Sequence, residues 1–122
     1  MLFKSRESDM TKYLISFPSA AMVFPEAELS VVSDDAHAVL REAKAAGVWV
    51  FGGGINEDVA PVMVAGDGTV TTGTYPQTAN IQGGYAILEL PSREEALKWA
   101  AKFATACRCA QEVREFQYDP ES

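Results

Sequence analysis

A single histidine and two cysteines in 122 residues leave little material for a metal centre. Cys107 and Cys109 stand at i, i+2 with no CxxC motif. Side chains two residues apart at a helix end or strand start diverge, so a disulfide between them would be strained. Free thiols in a reducing cytoplasm, with no bound metal and no other cofactor, are the expectation. Basic residues are scarce too: ten Lys and Arg face seventeen Asp and Glu, for a net charge of −7. A surface of that sign repels a phosphate backbone, which excludes nucleic acid as an expected partner. No apolar run approaches the roughly 20 residues that a membrane span needs. The first eleven residues, MLFKSRESDMT, lack the apolar core of a signal peptide.

What remains is ordinary globular material, 48% apolar and 22% charged. A chain of this length suits one domain burying roughly 65% of its unfolded surface. Residues 1–11 read as an extension, 12–118 as the domain and 119–122 as a tail.

Lys12 to Phe17 (KYLISF) is a β-rich run closed by Pro18, a first strand. Residues 18–32 show no clean period and read as a loop with one helical turn at most. Ser33 can cap a helix over 34–46, with Asp34 and Asp35 in its first turn and Gly47 as the stop. Val48 to Phe51 is a second strand ending at Gly52-Gly53-Gly54, a kink or pocket wall. Gly66-Asp67-Gly68 between Val59–Ala65 and Thr69–Thr72 signals a β-hairpin. After a loop to Gln82, Gly84–Leu90 reads as a buried strand bounded by Pro91. Ser92 and Glu95 form a capping box that opens a helix at Arg93, with Ala96, Leu97, Ala100, Ala101 and Ala104 as its apolar stripe, widened by Trp99 and Phe103. Gln111 to Tyr118 is a last strand.

The order β-α-β-β-β-β-α-β suits an α+β, ferredoxin-like split βαβ with an extra β-hairpin and both helices on one sheet face. The other face has no third layer of this chain to cover it. A homodimer packed sheet to sheet, a dimeric α+β barrel, is therefore expected.

AAG at 45–47, GGG at 52–54, GDG at 66–68, GGYAILEL at 83–90, EEALKWAAK at 94–102 and EVREF at 112–116 follow one another in an order and spacing that resembles the YCII-related, or DGPF-domain, family over residues 12–118. The family's signature turn, Asp-Gly-Pro-Phe followed by Glu, Lys and Glu, is here Thr72-Gly73-Thr74-Tyr75 followed by Gln77, Ala79 and Asn80. Gly73 and an aromatic at 75 persist, while the ionisable groups are replaced. The resemblance implies a small-molecule site in a homodimer. Some members place a His in the first helix and use it with an Asp. His37 is then the candidate general base for a cofactor-independent proton transfer, and Arg114 the candidate anchor for a carboxylate.

Each candidate has a plainer alternative. His37 has the only side-chain type that ordinarily titrates near neutrality, yet it sits on the flank of its helix beside Arg41 and Lys44, where a solvated or cleft-edge His needs no role. Arg114 can hold a carboxylate in bidentate fashion or pair with Glu112 or Glu115. Tyr75 and Tyr85 can donate phenol hydrogen bonds to a ligand or simply fill core. Gly53 and Gly83 can bring backbone N–H groups to a ligand, but neither stands in a phosphate-loop context. Two functional classes follow: a binding protein for a small organic molecule without strong catalysis, or a lyase- or isomerase-type enzyme using His37.

Overall fold

The computed structural model describes residues 10–122. Residues 1–9, most of the expected extension, lie outside it. Six strands and two long helices follow in the order β1 (Thr11–Pro18), α1 (Leu29–Ala45), β2 (Trp49–Gly54), β3 (Val62–Val64), β4 (Val70–Thr72), β5 (Gly83–Leu90), α2 (Arg93–Cys107) and β6 (Glu112–Glu115). The main sheet has the order β2-β5-β1-β6 with every neighbour antiparallel. β5 thus lies between β2 and β1, and β1 between β5 and β6, which is the split βαβ pattern of a ferredoxin-like α+β fold. β3 and β4 form a separate two-stranded hairpin.

Alternation along the strands assigns the two faces of the sheet. Tyr13 and Ile15 of β1 lie opposite Leu88 and Ala86 of β5, and all four are buried in one core with Val39 and Ala43 of α1 and Ala96, Ala100 and Phe103 of α2. Lys12, Leu14 and Ser16, paired with Glu89, Ile87 and Tyr85, point to the opposite face. β2 adds a bulge: Trp49 pairs with Leu88 and Phe51 with Ile87, so two steps on β2 span one on β5. The bulge sends Trp49 into the helix side, against Phe103 at 6.5 Å between ring centroids, and leaves Phe51 68% exposed on the other face.

Several sequence expectations shift in register. α1 starts at Leu29, not after Ser33, and its first residue follows a 3-10 turn over Glu26–Glu28 with no side-chain cap. Val32 is fully buried and extends the apolar stripe one turn upstream. Burying a valine is worth about 2 kcal/mol against about 1 kcal/mol for a serine cap, so packing outweighs capping. β2 runs through all three glycines, which pair with Ala86, Tyr85 and Gly84. The hairpin ladder is shorter than Val59–Ala65 suggests, because Pro61 has no N–H to give and pairing begins at Val62. Its Gly-Asp-Gly turn forms as expected, with Asp67 Oδ1 accepting from the Thr69 amide at 2.9 Å. That contact holds the Asp67 carboxyl below its usual range. Ser92 caps α2, accepting from the Glu95 amide at 3.2 Å. The buried residues of α2 are Ala96, Ala100, Phe103, Ala106 and Cys107, so Ala96, Ala100 and Phe103 of the expected stripe are buried while Leu97, 46% exposed, and Ala101 are not. With Phe103 docked on Trp49, the buried face shifts towards Ala106 and Cys107. β6 ends at Glu115, and residues 116–122 leave the sheet, returning to Lys12 through a 3.3 Å bond from its Nζ to the Ser122 carbonyl.

Two further contacts lock the helices together. Lys102 of α2 pairs with Glu42 of α1. Arg108 follows α2 in the left-handed region at φ 65°, donates to the Thr105 and Ala106 carbonyls at 3.0 and 2.7 Å, and reaches Asp35 of α1 at 2.9 Å. One side chain therefore closes the end of α2 and ties it to the first half of α1. No helix among the described residues is long and apolar enough to cross a membrane.

Candidate functional site

Small residues cluster where the ends of β2 and β5 meet on the helix side. A Cβ on Gly52 would lie 2.5 Å from Trp49 Cη2 and 2.6 Å from the Tyr85 carbonyl oxygen. A Cβ on Gly84 would lie 2.6 Å from Phe17 Cε1. The two glycines make room for two aromatic rings, and Gly53, Gly54 and Ala86 complete a low floor between them. Over this floor stand Leu40 of α1 and Phe103 and Cys107 of α2. The result is an apolar cleft of about 260 Å³.

His37 lines the rim of this cleft. Its Nδ1 lies 2.7 Å from the Ser33 carbonyl oxygen, one turn back on α1, and 3.4 Å from the Ser33 hydroxyl. A carbonyl only accepts, so the neutral ring carries its proton on Nδ1 and presents an unprotonated Nε2. Among the described residues no carboxylate orients the ring: Asp35, the acidic residue two positions earlier, is engaged by Arg108. Gln111 also lines the cleft, and its amide nitrogen donates to the Cys109 carbonyl at 3.1 Å. Cys107 is 5% exposed, and burial pushes its thiol above the ordinary range; the half-buried Cys109 thiol is raised by the same cause. Both thiols are free.

The other candidates divide. Gly53 and the Tyr85 backbone border the cleft with His37, while the Tyr85 ring lies on the sheet face away from the helices and its hydroxyl donates to the Ile81 carbonyl. Burial, and secondarily the charge of Glu112, raises the Tyr85 phenol. Gly83 is buried beneath Phe17, where a Cβ would sit 2.0 Å from the Phe17 carbonyl oxygen, and its own carbonyl accepts from the Ile55 amide. Tyr75 is 66% exposed in the turn leaving the hairpin and opens a 3-10 turn over Pro76–Thr78. Arg114 pairs with Leu14 in the ladder, which puts it on the sheet face away from the helices, and its guanidinium meets Glu112 at 3.0 Å. His37 and Arg114 are thus on opposite sides of the sheet. Trp49, Phe17 and Gln111 were missed as site residues. The GGG and GGY motifs were the available signal for the two aromatic rings, because such glycines mark a close approach.

A larger cavity of about 530 Å³ lies on the face away from the helices, between Lys12, Ile87 and Glu89 of the sheet and Phe116, Tyr118 and Asp119 of the C-terminal segment. None of the sequence candidates lines it, and its rim is charged. The smaller cleft, with the histidine and the motif glycines, is the better candidate site. Among the described residues no three His, Cys, Asp or Glu side chains converge in a way that could hold a metal ion.

Fold and cleft together define a small α+β protein of the ferredoxin-like class with an apolar pocket under its first helix. The chain matches the YCII-related domain over residues 13–117 and belongs to that family. No curated protein matches it significantly.

Proposed function

We propose that the protein binds a small organic molecule in the cleft beneath α1, as a homodimer and without strong catalysis. The observation that carries this is the glycine floor, where Gly52 and Gly84 yield their side-chain space to Trp49 and Phe17 and leave an apolar slot with His37 at its mouth. Pockets of this type are mostly apolar with a few placed polar groups. The sheet face away from the helices carries Phe51, Ile87, Leu14 and Phe116 between the Lys12–Glu89 and Arg114–Glu112 pairs, a mixture that suits a second copy of the chain. Two free thiols support a reducing, cytoplasmic setting, and the acidic balance argues against nucleic acid.

A second reading, a cofactor-independent enzyme, is favoured by one observation. The Ser33 carbonyl fixes the His37 tautomer so that Nε2 can take a proton. With Asp35 committed to Arg108 and no carboxylate on His37 among the described residues, binding is favoured over catalysis. A thermal-shift screen of small aromatic and alicyclic compounds tests the binding proposal. Hits that raise the melting temperature of the wild type, and do so less in Leu40→Asp, support the cleft; an absence of hits, or hits indifferent to that change, opposes it. Consumption of a bound compound by the wild type and not by His37→Ala would instead establish the enzyme.

A further inference from the structure

We infer that the cleft selects small neutral aromatic ligands carrying a hydrogen-bond donor, and that the donor docks on Nε2 of His37. The inference rests on the binding proposal above and names the ligand class of that same cleft.

Size comes first. A cavity of roughly 150 Å³ suffices for benzene, so about 260 Å³ has room for a small aromatic ligand with a substituent. Shape limits it next. The Trp49 indole and the Phe17 ring stand beside the glycine floor, and Phe103 closes the inner side. Aromatic walls around a floor without side chains favour a flat ring through offset or edge contacts.

Charge is the third limit. Among the described residues the cleft lining contains no Lys, Arg, Asp or Glu, and Arg114 lies beyond the sheet. A carboxylate entering here would lose its water without a fixed counter-charge, which is strongly unfavourable.

The polar groups set the last. Nδ1 of His37 is spent on the Ser33 carbonyl, so its free nitrogen is an acceptor. The Gln111 amide nitrogen is spent on the Cys109 carbonyl, so its carbonyl oxygen, which accepts no bond from any described residue, is the group left over. Raised by burial, the Cys107 thiol stays neutral and donates only weakly. The cleft therefore offers acceptors and wants a donor, as a phenol or a ring N–H supplies.

Phenol, anisole and benzoate separate these requirements, since anisole keeps the ring and caps the donor while benzoate adds a charge. Amide and imidazole NMR titrations in mildly alkaline buffer should give phenol an affinity at least about fivefold above anisole, the ratio one ordinary hydrogen bond produces. Benzoate should leave the Gly53, Gly54 and Gly84 amides unmoved. His37→Ala, a change at an exposed helix position, should bring phenol down to the affinity of anisole and leave anisole unchanged. Equal binding of phenol and anisole, or tighter binding of benzoate, overturns the inference while the cleft stands as a binding site. If none of the three moves the cleft amides, both the ligand class and the binding proposal fall.

Discussion

The indole of Trp49 occupies the space that a side chain at residue 52 would fill: a Cβ built on Gly52 meets Trp49 Cη2 at 2.5 Å. The same Cβ meets the Tyr85 carbonyl oxygen at 2.6 Å, so neither neighbour can give way cheaply. Gly52→Ala should destabilise the protein by about 1–3 kcal/mol, the usual range for overpacking. Gly53→Ala, where a Cβ meets nothing within 4 Å, should stay within about 1 kcal/mol of the wild type. Chemical denaturation of the two variants checks the contrast, and an equal loss in both would contradict the role given to Trp49.

Arg108 offers a second comparison. Arg108→Ala removes the bonds to Thr105, Ala106 and Asp35 and keeps a Cβ in the left-handed region, so a loss of about 1–2 kcal/mol is expected. The ion pair itself, with both side chains at least 31% exposed, supplies no more than about 1 kcal/mol of that. Arg108→Gly loses the same bonds but relieves the backbone, and should be the more stable variant in the same denaturation experiment.

Thiol chemistry follows from burial. Desolvation raises both thiols, so the neutral form persists to higher pH than in a free cysteine. Ellman-type labelling near neutrality should be slow at both sites, faster at half-buried Cys109 than at Cys107, and should accelerate only as the pH climbs past the ordinary thiol range. The linked effect on stability has one sign. It is absent at low pH, where folded and unfolded thiols are both neutral, and stability falls as the pH rises from the unfolded value towards the raised folded one. A ligand filling the cleft should protect Cys107 and spare Cys109.

Much of this was written in the chain. The capping box at Ser92–Glu95, the Gly-Asp-Gly turn and the β-rich runs depend on neighbours a few residues apart, and they placed α2, the hairpin and the strands of the sheet. What escaped depends on tertiary contact. The start of α1 goes with the complete burial of Val32, the orientation of α2 with Phe103 meeting Trp49, and the bulge at Val50 with pairing to β5. The site was half legible. Gly53 and His37 fall at one cleft, but a periodic pattern cannot show that Arg114 and the Tyr85 ring lie through the sheet from them, nor that Asp35 is taken by Arg108.

Self-association is the next expectation. Light scattering in dilute solution should report about twice the 13.2 kDa of one chain. Phe51→Glu, which puts a charge on a residue 68% exposed on the outer sheet face, should shift the mass towards a monomer with little change in circular dichroism. A wild-type monomer at micromolar concentration would remove the sheet-to-sheet dimer.

The most direct test of the cleft is amide shift mapping with one small aromatic ligand, because the two cavities lie on opposite faces of the sheet and report through different residues. Perturbations concentrated at Gly53, Gly54, Gly84 and the His37 imidazole are the expected result. Perturbations concentrated at Glu89, Phe116 and Tyr118 would place the ligand in the outer cavity and contradict the assignment of the site.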